Sequence, residues 1–170
     1  MKLEIIKGDI TTLKVDVIVN AANKTLLGGE GVDGAIHKAA GPALLEECKE
    51  LRRTELPNGL PTGEAVMTSG YDLPSRFVIH TVGPVYGATN QDPIQLANAY
   101  RNSLKLAEKK KLTSIAFPAI STGVYGYPKE MAARVVKKVL EDFEYNSVQK
   151  VILCYFSAED KMIAQRIILT

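Results

Sequence analysis

Two rhythms of apolar residues alternate along this chain. Short apolar runs stand at residues 3–6, 15–19, 115–117 and 151–156 and read as strands, the nearly continuous run at 15–19 being that expected of a strand covered on both faces. Between them apolar residues recur at helical spacing. Leu44, Leu45, Cys48 and Leu51 form one such stripe, Ile94, Ala97, Tyr100, Leu104 and Ala107 a second, and Met131, Val135, Val139 and Phe143 a third. Punctuation agrees with these readings. Asp33 is placed to cap or enter a helix starting at Gly34, and Gly41-Pro42 interrupts it because proline suits only a first turn. Asp92-Pro93 predicts a cap and a first-turn proline, Pro128 opens another helix, and a short helix from about 159 closes the chain. Residues 56–63 hold Pro57, Asn58-Gly59, Pro61 and Gly63 and read as a loop. Strands at 64–68 and 77–82, separated by turn residues, allow a hairpin-like pair. Alternating strands and helices predict an α/β fold: a three-layer α/β/α sandwich around a central mixed, mostly parallel sheet, with residues 1–170 as a single domain.

Two glycine-rich loops interrupt the pattern at the carboxyl ends of strands. One is Asn20-Ala21-Ala22-Asn23 followed by Leu27-Gly28-Gly29-Glu30-Gly31-Val32-Asp33-Gly34. The other is Ala119-Ile120-Ser121-Thr122-Gly123-Val124-Tyr125-Gly126. Each runs into a helix-like pattern, which is how an α/β protein makes a phosphate cradle from backbone N–H groups and helix N-termini. Ligand crevices of open α/β sheets lie beyond those strand ends. A diphosphate-bridged nucleotide is therefore the first ligand to consider.

Composition narrows the classes. A net charge of +2 gives no reason to expect broad nucleic-acid binding, and Lys109-Lys110-Lys111 sits where cations complement a helix dipole. Cys48 and Cys154 lie among apolar neighbours and read as small core residues rather than a disulfide framework or metal pair. No apolar run is long enough to span a bilayer, so no membrane association is expected and a reduced, cytoplasmic setting is the default.

Several chemistries lack their motifs. There is no His-x-x-x-His or Cys-x-x-Cys, hence no expected metal or cofactor. There is no P-loop lysine motif and no Gly-x-Ser-x-Gly elbow either. The only histidines, His37 and His80, fall inside a helix and a strand and read as structural. What remains is Asn20, Asn23 and Asp33 beside the first glycine loop. Either the asparagines shape a turn and Asp33 caps a helix, or they orient ribose hydroxyls and a water that Asp33 aligns or deprotonates. Asp9 either caps a turn with Thr11 and Thr12 or accepts a hydrogen bond from an exocyclic amine such as adenine N6. Tyr125 could lie over a sugar. Phe156, with Tyr155 as the alternative, either packs at a sheet edge or stacks on a base.

Six blocks, in order, resemble the macrodomain family. They are Gly8-Asp9-Ile10-Thr11, Asn20-Ala21-Ala22-Asn23, Gly31-Val32-Asp33-Gly34-Ala35-Ile36-His37, Pro61-Thr62-Gly63-Glu64-Ala65, His80-Thr81-Val82-Gly83-Pro84 and Ser121-Thr122-Gly123-Val124-Tyr125-Gly126. The chain is most similar to the MacroD-type branch, whose members bind ADP-ribose and remove ADP-ribosyl or O-acetyl groups. The resemblance implies that Asp9 and Ile10 recognise adenine, Asn23 holds the distal ribose, and Asp33 positions or activates the hydrolytic water. It implies further that Gly31 and Val32, with Ser121, Thr122, Gly123, Val124 and Tyr125, donate to the diphosphate, and that Phe156 stacks on adenine. The expected activity is hydrolysis of acyl-linked ADP-ribose, from O-acetyl-ADP-ribose or ADP-ribosylated acidic side chains. The alternative is a module that reads ADP-ribose without cleaving it. Partners are then ADP-ribose conjugates and ADP-ribosylated proteins, and a monomer is the default. Two positions depart from the family pattern. Glu30 breaks an otherwise pure glycine run, and if that position takes positive φ it predicts strain. Leu60 stands where relatives often place cysteine and reads as packing.

Overall fold

The apolar runs become strands. A computed structural model, which describes residues 1–170, places β1 at Lys2–Lys7, β2 at Val17–Ala21, β3 at Ala65–Ser69, β4 at Phe77–Thr81, β5 at Ser114–Phe117 and β6 at Lys150–Tyr155. The helices are α1 (Gly31–Ala40), α2 (Pro42–Arg53), α3 (Asp92–Lys109), α4 (Lys129–Asp142) and α5 (Ala158–Ile168). The sheet order is β1-β6-β5-β2-β4-β3. All pairs are parallel except β3 with β4, which is antiparallel.

Period-two alternation sends each strand's side chains to opposite layers. Val17, Val19, Ile79, Ile115, Phe117, Val151 and Leu153 join the core beneath α3, α4 and α5. Ile18, Val78, Ala116, Ile152 and Cys154 join the core beneath α1 and α2, with Ile36, Leu44 and Cys48. This is the mixed, mostly parallel three-layer sandwich that the periodicity predicted. Both cysteines are free and buried. Leu60 is buried in the α1/α2 core, and its amide donates to the Lys24 carbonyl. No helix is long and apolar enough to cross a membrane.

The differences from the sequence reading lie at element ends. β2 begins at Val17, because Asp16 is drawn off to receive hydrogen bonds from the Thr113 amide and hydroxyl. Asp33 neither caps α1 nor precedes it: the helix starts at Gly31, and Asp33 sits in its first turn with the side chain turned inward. Glu30 occupies the cap position with φ −100° and ψ 179°, an extended conformation that any residue adopts. The strain expected there is absent, because the positive φ values fall on Gly28 (94°) and Gly31 (61°) instead. Asp92 is the first helical residue of α3 rather than its cap, and its Oδ2 accepts from the Gly87 amide to close the preceding loop. Pro128 is the cap of α4 rather than its first residue.

Candidate active site

The carboxyl ends of β2 and β4 lie side by side, and their register decides which polar side chains meet. Asn20 on β2 stands opposite His80 on β4. Both share the parity of Ile18 and Val78, so both face α1 and α2. Thr68 on β3 pairs with Val78 and shares that face. Asn20 Nδ2 donates to Asp33 Oδ1 at 2.7 Å and lies 3.2 Å from His80 Nδ1. His80 Nε2 is 2.9 Å from Thr68 Oγ1. One helical turn beyond Asp33, His37 brings Nε2 to 3.5 Å from Asp33 Oδ1.

This cluster is buried. Asn20 and His80 are wholly buried, and Asp33 is 5% exposed. Burial raises the Asp33 carboxyl above its ordinary range, against the opposing pull of the Asn20 hydrogen bond and nearby His37. Burial, helped by His37, pushes the His80 imidazole down to about 3, so it is neutral at physiological pH. The Cys48 thiol on α2 is pushed up to about 12 by burial and by the negative charges of Glu47 and Asp33.

The first glycine loop closes over this cluster. Asn23 Oδ1 accepts from the Thr25 amide and hydroxyl, and its Nδ2 donates to the Gly28 carbonyl at 2.9 Å. Asn23 therefore shapes its turn and still keeps one amide hydrogen free. Gly29 is where Asn23 and Asp33 converge. A Cβ there would stand 2.9 Å from Asp33 Oδ2 and 3.1 Å from Asn23 Nδ2. Asp33 Oδ2 is buried and accepts from no protein donor. Next to it, the amides of Gly31, Val32 and Asp33 at the start of α1 donate to no acceptor in the protein.

A second set of unspent donors lies across the sheet. The loop after β5 is held by Gly126 N–H to the Gly123 carbonyl, Tyr127 N–H to the Ser121 carbonyl, and Tyr86 N–H to the Tyr125 carbonyl. None of these bonds uses the amides of Thr122, Gly123, Val124 or Tyr125. Ser121 adopts φ 68°, a left-handed conformation that turns the loop sharply. Gly83 allows it, since a Cβ there would overlap Ser121 Oγ and approach Ile120 Cγ2 to 2.5 Å.

The far corner is formed by β1 and β6, whose last residues, Lys7 and Tyr155, are register partners. Asp9 Oδ1 accepts from the Thr11 amide (3.0 Å) and hydroxyl (2.7 Å), which caps a 3-10 turn at Ile10–Thr12 and leaves Oδ2 free. Ile10 is buried beneath that turn. Phe156 is 87% exposed whereas Tyr155 is packed into the core, so only Phe156 offers an open ring face. Across the sheet top, in strand order, lie a carboxylate with an open aromatic ring, then two sets of free amides, then the Asn23–Asp33 pair. This row suits a ligand with an amine-bearing aromatic base, a central dianion and a polyol end.

The sequence reading placed His37 and His80 in regular structure, which is where they lie, but missed that His37 adjoins Asp33 and that His80 reaches it through Asn20. The spacing of Asp33 and His37, four residues apart on one helix, was the signal for the first. His80 and Thr68 carried none, because only strand order brings them there. No group of three or more His, Cys, Asp or Glu side chains is arranged to hold a metal ion.

The Macro domain family model matches residues 19–136. The chain is 54% identical over 168 residues to a protein of Klebsiella pneumoniae named O-acetyl-ADP-ribose deacetylase, covering 97% of this chain and 95% of that protein. It is 47% identical over 173 residues to human ADP-ribose glycohydrolase MACROD2, covering 97% of this chain but 39% of that longer protein. Among solved structures, the Oceanobacillus iheyensis macrodomain with ADP superimposes with a TM-score of 0.94 at 54% identity, covering 96% of this chain and 88% of that one.

Proposed function

The chain belongs to the macro domain family, and from that premise we propose that it is a hydrolase of acyl-linked ADP-ribose. The observation that carries the reading is the convergence of Asn23 Nδ2 and the unpartnered Asp33 Oδ2 on Gly29, at the end of a row of free backbone donors. Its relatives support it: they are named O-acetyl-ADP-ribose deacetylase and ADP-ribose glycohydrolase, and a related macrodomain is solved with ADP.

In this reading Asp9 Oδ2 accepts from the adenine amine, the Ile10 backbone borders the ring, and Phe156 stacks on it. The amides of Gly31 and Val32 and those of Thr122 to Tyr125 hold the diphosphate, with Ser121 setting the loop's turn. Charge-assisted bonds of this kind are the strong ones, and they anchor the part of the substrate that does not react. Asn23 holds the distal ribose with its spare amide hydrogen. Asn20, fully buried, contributes from beneath by holding Asp33.

Chemistry then needs one water between Asn23 and Asp33. Asp33 accepts its proton as the oxygen attacks the acyl carbon. The bond from acyl carbon to ribose oxygen breaks, that oxygen takes up a proton, and the carboxylic acid and ADP-ribose leave. A carboxyl raised by burial is a better proton acceptor than an ordinary one, which suits this role. Acetate esters and ADP-ribosylated acidic side chains present the same ester to the site, so ADP-ribosylated proteins are included as substrates. We place the protein in the cytoplasm as a monomer, with residues 1–170 as a single macro domain.

The test is to incubate the protein with O-acetyl-ADP-ribose and with an ADP-ribosylated protein, following free ADP-ribose by chromatography. Asp33→Ala should lose turnover and still bind ADP-ribose by calorimetry. Binding without product from either substrate would make the protein a reader, and wild-type turnover in Asp33→Ala would remove Asp33 from the mechanism.

A further inference from the structure

We propose that Thr68 and His80 are positioning residues: a hydrogen-bond chain of fixed polarity runs from β3 through β4 and β2, holds the Asn20 amide with its NH2 toward Asp33, and so keeps Asp33 in its ionised, proton-accepting form. The proposal rests on the reading of Asp33 as the base given above. It assigns a role to two side chains that no ligand can touch.

The chain starts at a backbone carbonyl, which can only accept. Thr68 Oγ1 donates its hydrogen to the Ser69 carbonyl at 3.2 Å, leaving lone pairs for His80 Nε2 at 2.9 Å. His80 has no exposed surface and is neutral, so one ring nitrogen carries the hydrogen and the other must accept. Thr68 makes Nε2 the donor, and Nδ1 is left with a bare lone pair. Facing Nδ1 at 3.2 Å and Asp33 Oδ1 at 2.7 Å is one amide nitrogen, Asn20 Nδ2, with one hydrogen for each.

The reversed arrangement has a cost that the observed one avoids. With the amide turned over, Asn20 Oδ1 would face both acceptors. Relief would require His80 to move its hydrogen to Nδ1 and Asp33 to take up a proton. Thr68 would then have to turn its hydroxyl toward His80 and give up the Ser69 carbonyl. It would also leave an amide NH2 where Asn20 Oδ1 now lies buried without a partner, and buried donors left unpaired are expensive. The protonation of Asp33 is thus tied to the tautomer of His80.

The titratable groups facing Asp33 are few. His37 lies on its own helix, His80 on β4 and Cys48 on α2, with Glu47 beside Cys48. The Cys48 thiol stays protonated through neutral pH. β2 and the glycine loop bring the uncharged Asn20 and Asn23, while the loop's charged residues, Lys24 and Glu30, are exposed. His37 Nε2 lies 3.5 Å from Asp33 Oδ1 in the wild type, so the His37 ring shifts are recorded in the same samples.

The experiment uses the whole chain, labelled for NMR, as wild type, Thr68→Val and Thr68→Ser. It reads the His80 tautomer from ring nitrogen shifts, the Asp33 midpoint from carboxyl carbon shifts, and the acid limb of kcat/KM for O-acetyl-ADP-ribose. Expected are the Nε2–H tautomer in the wild type and an Asp33 midpoint raised by about half a pH unit or more in Thr68→Val. The acid limb should move with it, while ADP-ribose Kd stays within about twofold because no ligand contact is lost. Thr68→Ser keeps the hydroxyl and should restore the wild-type midpoint. An Nδ1–H or protonated His80 in the wild type, or an unmoved Asp33 midpoint in Thr68→Val, overturns the proposal. Should Thr68→Val not fold, Thr68→Ala carries the same comparison, and the wild-type tautomer still decides. If the wild type hydrolyses no acyl-ADP-ribose, the esterase reading fails while the two NMR measurements continue to test the chain.

Discussion

Gly28 and Gly29 are neighbours in one loop, yet the same substitution should injure them in opposite ways. At Gly29 a Cβ would stand 2.9 Å from Asp33 Oδ2 and 3.1 Å from Asn23 Nδ2. Unstrained heavy-atom contacts lie at about 3.5 Å, so each side chain must retreat by roughly half an ångström. Both are tethered. Asp33 is held by Asn20 at 2.7 Å, and Asn23 by Gly28 and Thr25. A misplacement of about 1 Å costs about a hundredfold in rate, so Gly29→Ala should lower kcat about tenfold or more. Overpacking should cost about 1–3 kcal/mol, offset by about 0.4–1 kcal/mol from a less flexible unfolded chain. At Gly28 nothing lies within 4 Å, but φ is 94°. Gly28→Ala should therefore lose about 1–2 kcal/mol through the backbone alone and keep its turnover at saturating substrate. Urea denaturation gives the stabilities, and chromatographic assay of O-acetyl-ADP-ribose gives the rates. A folded Gly29→Ala with wild-type kcat would refute the claim that Asn23 and Asp33 meet there to do chemistry.

Three further outcomes follow from the same geometry. Asp33→Asn should lower turnover by about 10²–10⁴-fold. It should also stabilise the fold above the acid range. Because the folded state raises the Asp33 pKa, its contribution to stability is full below its ordinary value of 3.8 and is lost as pH rises through the raised value. Each tenfold gain in the carboxyl's proton affinity on folding is worth about 1.4 kcal/mol, and equal stability differences at pH 3 and pH 7 by urea denaturation would contradict this. Phe156→Ala should weaken ADP-ribose binding by roughly tenfold, from lost stacking, with Tm unchanged because the ring is 87% exposed. Calorimetry showing unaltered affinity would exclude Phe156 from the adenine site. Glu30→Gln removes an exposed negative charge from the N-terminal end of α1 and should tighten ADP-ribose binding about two- to fivefold at low salt. The gain should fade in high salt, and a salt-independent effect would point away from electrostatics.

The layers of this fold were legible in its sequence because burial leaves a periodic trace. Residues 151–156 read as the most apolar strand; β6 ends at Tyr155, and Val151 to Cys154 alternate between the two cores. The glycine loops were legible too, since cradles of free amides need small residues after a strand. What misled was local chemistry with two outlets. Asp33 has the composition of a cap, but its carboxylate bonds Asn20 instead, and α1 begins at Gly31 rather than Gly34. Glu30 interrupts a glycine run, and which member of such a run takes positive φ is settled by how the loop closes rather than by its letters.

The sequence alone therefore determined the layers, the strand ends that bear the site, and the residue types able to bind base, diphosphate and ribose. It also carried the family's motifs. Only the tertiary structure decided how those residues are wired. Asn20 lies thirteen residues from Asp33 and sixty from His80, and it touches both. Strand order and register set that junction, through the pairing of β2 with β4 and β4 with β3. A hydrophobic pattern fixes which face a side chain takes. It says nothing about which polar group, brought from another strand, will be waiting there.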